Sequence, residues 1–207
     1  MYRRRLLPCI RSRSSGTVWR AVLVFSLITA SVIPSAKDYW YLDNGSGASD
    51  WRIGASEATG IPAHQQRTLT DSRWLALYLV NRDRKLNGLT PLVEDPLLAK
   101  AAQLHAMDML RRNFYGHVNP DGLNPTDRFR LVGGNDGAGE NITMQNQSYA
   151  ITLNFRLVER FHKGWMYSKG HRENLLSTRY GRFGYGIAVD GISGRAYAVQ
   201  KFAMGGI

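Results

Sequence analysis

The stretch GAGENI at residues 137–142 places one carboxylate, Glu140, between a glycine-rich turn and an apolar, strand-like run. Two stretches flank it along the chain: YGHVNPDG at residues 115–122 and WMYSKGHREN at residues 165–174. They contribute His117 and His171. Two imidazoles and a carboxylate are the set from which proteins build divalent-metal sites and acid–base pairs. These three residues are therefore the first candidates for a functional site.

The residues around each candidate predict how it is held. His117 precedes the turn-forming residues 120–122, Pro-Asp-Gly, so we expect a loop to orient it and leave it partly exposed. His171 follows Gly170, which we interpret as the left-handed residue past the end of a helix. Glu140 begins an apolar strand, where a carboxylate needs hydrogen-bond donors or a positive partner.

Periodicity and turn residues predict helices on both faces of a small antiparallel sheet. We expect the second helix to pack through Leu97, Leu98, Ala101, Leu104, Met107 and Leu110. The predicted strands are 139–144, 183–190 and 195–203, with a hairpin turn at 191–194. The predicted helices run from a cap at Thr70 or Asp71 to about Asn87, from cap Asp95 and Pro96 onward, from Asn124-Pro125 to Arg130, and from about Ser148 to Tyr167.

The order of these stretches from about Leu69 to Ala203 resembles the CAP superfamily of cysteine-rich secretory, antigen 5 and pathogenesis-related proteins. The cysteine-free bacterial branch is most similar. The resemblance rests on the three stretches above, on the helical segment 77–110, and on GYGIAV and YAVQKF at residues 184–189 and 197–202. It implies an α/β fold, a three-layer α-β-α sandwich with a small antiparallel sheet between helices.

The resemblance also implies a ligand cleft. His117 and His171 correspond to the family's paired histidines, and Glu140 to one of its two glutamates. The second glutamate falls at Ser168 here, so that acid is missing. Arg172 is interpreted as a salt-bridge or anion-contact residue that pins the loop.

Two chemical roles remain open for these residues. His117 and His171 could bind a divalent metal, with zinc favoured, while Glu140 serves as a ligand or acts through water or a histidine N–H. Alternatively, Glu140 and Asn141 hydrogen-bond backbone and histidine side chains and so lock the loops together. His105, beside apolar residues in the second helix, is expected to be a packed or capping residue rather than a ligand.

Two functions follow from these roles. The first is a non-enzymatic module that presents the cleft to a lipid, an envelope component or another protein. The second is a metal-dependent, protease-like hydrolase, in which a histidine-bound metal polarises water and Glu140 is the general base. The missing second acid at Ser168 argues against the hydrolase.

The first 36 residues predict export. They contain six arginines and no acidic residue, followed by an apolar run at 21–33 and then small residues. That run is shorter than the roughly 20 residues of a membrane span. We expect a signal peptide and a secreted, periplasmic or envelope protein; the alternative is an uncleaved anchor that associates with the membrane. A flexible Gly/Ser/aromatic linker is predicted at 37–68 and the CAP-like domain at 69–207.

Charge and cysteine content narrow the functional class. The chain carries a net charge of +11. Without residues 1–36, the predicted export leader, which contain six arginines, it has 21 basic and 16 acidic residues and a net charge of +5. No basic stripe or RNA-binding aromatic motif is present, which argues against a nucleic-acid partner. The single cysteine, Cys9, lies in the leader, so the predicted domain has no disulfide.

Overall fold

The computed structural model describes residues 51–57 and 65–205. The predicted export signal lies outside the described residues, as does the predicted linker apart from 51–57 and 65–68. Among the described residues, no helix has both the length and the apolar character that crossing a membrane requires.

Four strands form a mixed sheet in the order β1-β3-β4-β2. The pairs β2–β4 and β3–β4 are antiparallel, and the two-residue β1 pairs with β3 in parallel. The three predicted strands and their hairpin are confirmed, and β1 is an addition that makes the sheet mixed. The elements are α1 Leu69–Leu86, β1 Val93–Glu94, α2 Pro96–Arg112, α3 Pro125–Leu131, β2 Gly139–Asn146, α4 Phe155–Tyr167, α5 Lys169–Leu175, β3 Tyr180–Asp190 and β4 Arg195–Met204.

Side-chain caps define where the first three helices begin. Asp95 and Asn124 each accept hydrogen bonds from two backbone N–H groups in the first turn of α2 and α3, as predicted. The predicted start of α1 is wrong by two residues or more, because Thr68 is the cap. Thr68 and Asp71 bond each other reciprocally in a capping box.

The region around the fourth predicted helix differs from expectation in two ways. That helix begins at Phe155 and not near Ser148. The residues before it hydrogen-bond to the loop between β3 and β4 instead, where the N–H of Ile151 donates to the carbonyl oxygen of Gly191 at 3.0 Å. His171 lies past the end of this helix, as predicted, but inside an additional helix, α5. Gly170 is not among the described residues with positive φ. The helical conformation is instead interrupted at Ser168, whose backbone is extended.

The sheet is covered on both faces, which confirms the α-β-α sandwich. On one face α1 and α4 pack against β3 and β4 through a core that includes Leu79, Trp165, Tyr185 and Phe202. On the other face α2 packs through Ala102, Ala106 and Met109 against Ala188, Tyr197 and Val199.

Close contact between α2 and β3 explains why the predicted apolar face of α2 is wrong in part. A Cβ at Gly184 or Gly186 would lie 2.2 Å from a backbone nitrogen of α2, so helix and strand meet without side chains between them. Alanines and His105 occupy this interface, while Leu97 and Leu104 are 37% and 50% exposed. Trp51 and Ile53, from the predicted linker, are buried in the α1–α4 core.

Candidate functional site

Glu140 lies at the centre of a buried charge cluster, which we define as Glu140, Arg128 and Lys201. Its side chain is 1% exposed. Arg128 Nη2 donates to both carboxylate oxygens, at 3.0 and 2.8 Å, and Lys201 Nζ lies 2.9 Å from Oε2. Glu140 and Lys201 are opposite each other in the β2–β4 register. The expectation that this carboxylate needs positive partners is therefore met twice.

These partners keep Glu140 ionised. Burial opposes ionisation, but the hydrogen bond from His117 and the charges of Lys201 and Arg128 outweigh it and lower the pKa of Glu140 to about 2. Burial also lowers the pKa of Lys201, although the charge of Glu140 opposes that shift. Two cations and one anion leave one net positive charge in the cluster when Lys201 is protonated.

His105 supports the loop that carries His117. The ring is fully buried, and Nε2 donates to the carbonyl oxygen of Gly116 at 3.0 Å. Burial lowers the pKa of His105 to about 4, so the ring is neutral at physiological pH. The prediction that His105 is packed is confirmed, and its bond fixes the residue directly before His117.

The His117 ring is oriented by Glu140. Nδ1 lies 2.9 Å from Oε1 of that carboxylate. Because an ionised carboxylate only accepts, Nδ1 carries the proton and donates. In the neutral ring, Nε2 then holds the free lone pair. The His117 side chain is 50% exposed, so the ring joins the buried charge cluster to the surface.

The His171 ring is oriented by Ser168, the residue at the position of the missing acid. Its Nδ1 lies 2.9 Å from Ser168 Oγ, so a hydroxyl orients this ring, whereas a carboxylate orients His117. Burial and electrostatic repulsion from the nearby His117 ring both lower the pKa of His171. We call His117, Ser168 and His171 the two-histidine site.

Asn141 ties the second histidine segment to the sheet. Its Nδ2 donates to the carbonyl oxygen of His171 at 3.0 Å, and its Oδ1 accepts from Asn174 Nδ2 at 2.9 Å. Asn174 also donates to the carbonyl oxygen of Glu140 at 3.3 Å. Neighbouring residues of β2 thus hold both histidine segments, Glu140 through a ring and Asn141 through the backbone.

Arg172 occupies the junction between α4 and α5. It donates to the carbonyl oxygen of Met166 at 2.8 Å, and its guanidinium lies 4.2 Å from the ring centroid of Trp51. These contacts stabilise the turn between the helices from the core side.

Sequence analysis missed Arg128, Lys201 and Asn174. A signal existed for Lys201, because a lysine inside the apolar strand YAVQKF needs a buried counter-charge. Arg128 and Asn174 gave no such signal, since they reach Glu140 and Asn141 only through the packing of α3 and α5 on the sheet.

The donor set fits a divalent metal only in part. Each imidazole is oriented through Nδ1, as metal-binding histidines are, which leaves both Nε2 atoms as the nitrogens that would hold zinc. Within residues 51–57 and 65–205, however, no group of three or more His, Cys, Asp or Glu is arranged to hold a metal ion. A metal here would have two protein ligands and several open positions.

Two curated bacterial proteins are similar in sequence. YkwD of Bacillus subtilis is 32% identical over 114 residues, which is 55% of this chain and 41% of YkwD. The Bacillus subtilis membrane protein YlbC is 29% identical over 133 residues, 64% of this chain and 34% of YlbC. The chain therefore matches well under half the length of each relative.

Solved structures share the fold. An extracellular protein containing an SCP domain from Bacillus anthracis matches with a TM-score of 0.52 and 26% identity, over 66% of this chain and 41% of that one. An outer surface protein from Borrelia burgdorferi matches with a TM-score of 0.55 and 18% identity, over 67% of this chain and 96% of that one. At 18% identity, the similarity to the Borrelia protein shows a shared fold only.

The model of the family described as "CAP: Cysteine-rich secretory protein family" matches residues 77–202, a range that includes Glu140 and both site histidines. With this match over more than half of the sequence, and with the sandwich fold in common, the chain belongs to the CAP family.

Proposed function

We propose that this protein is an exported, non-enzymatic CAP-domain module that binds its ligand at the two-histidine site. One observation carries the proposal: both rings are fixed through Nδ1, His117 by Glu140 and His171 by Ser168, each at 2.9 Å. Among the residues that the structure describes, neither Nε2 atom has a hydrogen-bond partner, and such a pair of oriented imidazoles is prepared for ligand binding rather than for packing.

Zinc is the divalent metal that this donor set would take. Imidazole nitrogens are common zinc ligands, and a site with two protein ligands keeps open positions for water or a bound molecule. Two features lower the affinity: the absence of a third ligand among the described residues, and the net positive charge of the buried cluster. We therefore expect weak, exchangeable binding, with the ligand completing the coordination.

The contacts of Glu140 speak against the hydrolase alternative. A general base works best with a pKa near the operating pH and must reach the water that it activates. Glu140 is buried, is bonded to Arg128, Lys201 and His117, and has its pKa lowered to about 2. Its role in this proposal is to position His117.

Export is supported by the arginine-rich, then apolar, leader at residues 1–36 and by the similar extracellular protein of Bacillus anthracis. A lipid, an envelope component or another protein at the cell surface would be the partner.

Calorimetric zinc titration of the full chain tests the proposal. We expect the wild-type protein and the control Glu94→Gln, which changes an exposed residue of β1, to bind zinc alike. The double variant His117→Ala/His171→Ala should lose that binding. Equal zinc binding by all three proteins, or none by the wild type, would refute metal binding at the two-histidine site.

A further inference from the structure

A pocket lies between α1 and α4, beside the segment 51–57. Its volume is about 400 Å³, and none of its lining residues belongs to the two-histidine site. Its lining is rich in cations: Arg82 from α1 and Arg156, Arg160 and Lys163 from α4. Glu159 is its one acidic lining residue among the described parts of the chain. The pocket is thus a separate, positively charged recess.

The single acid of this lining is already engaged. Glu159 accepts a hydrogen bond from Ser56 Oγ at 2.8 Å and one from the backbone N–H of Glu57 at 2.6 Å. Arg160 and Lys163 are exposed, three residues apart on α4, so they lie on the same face of the helix. Arg160 bonds Gln145, a neutral group, and Lys163 lies 5.5 Å from the ring centroid of Tyr167. Neither contact neutralises its charge.

The base of the pocket contains a buried histidine with an unsatisfied nitrogen. His162 is 1% exposed, and its Nε2 donates to Asp83 Oδ2 at 2.7 Å. Arg82 Nε and the N–H of Gly54 donate to the other oxygen of Asp83, at 2.7 and 2.9 Å. Nδ1 of His162, by contrast, has no hydrogen-bond partner among the described residues. Because that nitrogen is inaccessible to water, it is no contact point for a ligand, and the bonds of Asp83 serve to fix Arg82 and His162 in the lining.

We propose that this pocket is an anion site for a phosphate group, bound by Arg82, Arg160 and Lys163 with His162 at its base. Guanidinium and ammonium groups form charge-assisted hydrogen bonds with phosphate oxygens. A phosphate offers three or four acceptor oxygens to these cations. A carboxylate offers only two oxygens, so fewer of the cations can bond to it directly.

The test is binding of phosphate to the full chain. Inorganic phosphate is titrated by calorimetry, and vesicles containing phosphatidic acid are tested by co-sedimentation, so that free and lipid-borne phosphate are distinguished. The variant Arg160→Gln/Lys163→Gln changes two exposed residues and should leave the fold intact. The control Lys100→Gln/Arg130→Gln removes the same charge from exposed positions on α2 and α3.

We expect the wild type and the control to bind at least one of the two probes with similar affinity. The Arg160/Lys163 variant should bind it about tenfold more weakly or worse. The affinity should also fall as salt is raised. Absence of binding to both probes, or equal binding by the two double variants, would overturn the proposal.

Discussion

Glu140 organises the two-histidine site by combining three contacts in one buried side chain. Arg128 and Lys201 hold the carboxylate in place, and the carboxylate holds the His117 ring. The energetic cost of burying three charges is offset only while all of them are paired. Changes at Glu140 should therefore alter stability as well as binding.

Replacing Glu140 with Gln should destabilise the protein strongly, because it leaves Arg128 and Lys201 buried without their anion. Removing one partner of a buried ion pair costs about 3–5 kcal/mol. Urea denaturation measures the change in the free energy of unfolding. The matched control Glu94→Gln alters an exposed residue of β1 and should shift that free energy by less than about 0.5 kcal/mol. Similar stabilities for the two variants would contradict the buried cluster.

Acid should destabilise the fold through two groups that act in the same direction. The pKa of Glu140 lies at about 2 in the folded protein against an ordinary value of 4.5, so its stabilisation is complete above pH 4.5 and is lost as pH falls towards 2. The pKa of His105 lies at about 4 against 6.5. The unfolded chain therefore binds that proton first, and stability also falls from pH 6.5 to 4.

Urea denaturation across this pH range checks the prediction. The free energy of unfolding should decrease steadily from pH 6.5 downwards in the wild type. In Glu140→Gln the decrease below pH 4.5 should be smaller, since the titrating carboxylate is gone. A wild-type profile that stays flat between pH 6.5 and 3 would contradict the assignment.

Prediction from sequence worked best for site residues that lie in short stretches of distinctive sequence. His117, Glu140 and His171 stand in short, unusual stretches, and the structure brings their segments together around β2. Arg128 remained hidden because its partner is 12 residues away. The position of Lys201 in an apolar strand indicates that it needs a counter-charge, but not that Glu140 on the neighbouring strand supplies it. Long-range pairing of this kind has no local pattern.

At the level of elements, the contact between α2 and β3 fixes the position of one outer layer of the sandwich. Gly186 lies so close to α2 that an added Cβ would be 2.2 Å from the nitrogen of Gln103. The helix must move outward if any side chain is placed there, and the alanine-rich interface would lose its packing.

Gly186→Ala should accordingly lower the free energy of unfolding by at least about 2 kcal/mol, as overpacking in a core does. Gly164→Ala is the matched control, because no atom lies within 4 Å of an added Cβ there and the residue is within α4. It should be neutral or stabilising by up to about 1 kcal/mol. Thermal denaturation of the two variants compares them directly, and a stable Gly186→Ala protein would contradict the close approach.

Elements with local start signals were predicted well, and those set by tertiary contacts were not. The caps Asp95 and Asn124 are confirmed because capping is local chemistry. The early start assigned to α4 was wrong because the chain before Phe155 pairs with a hairpin loop distant in sequence. The buried face of α2 was misjudged in part: Leu98 and Ala101 are buried as predicted, but Leu97 and Leu104 are exposed. Alanines and His105 account for most of the remaining buried positions.

For the whole molecule, we expect export to remove the amino-terminal leader. Protein recovered from its native host should begin near Lys37, as the leader at residues 1–36 predicts. Amino-terminal sequencing of the secreted or envelope fraction checks this expectation. Intact Met1 recovered from a membrane fraction would identify an uncleaved anchor instead.

The central claim, that His117 and His171 together form a binding site, is tested most directly by X-ray diffraction from crystals soaked in zinc, with data collected on both sides of the zinc absorption edge. We predict an anomalous difference peak bonded to Nε2 of both rings, with Nδ1 of His117 still on Glu140 and Nδ1 of His171 still on Ser168. A peak at another group, or zinc bound through only one of the two histidines, would contradict the claim.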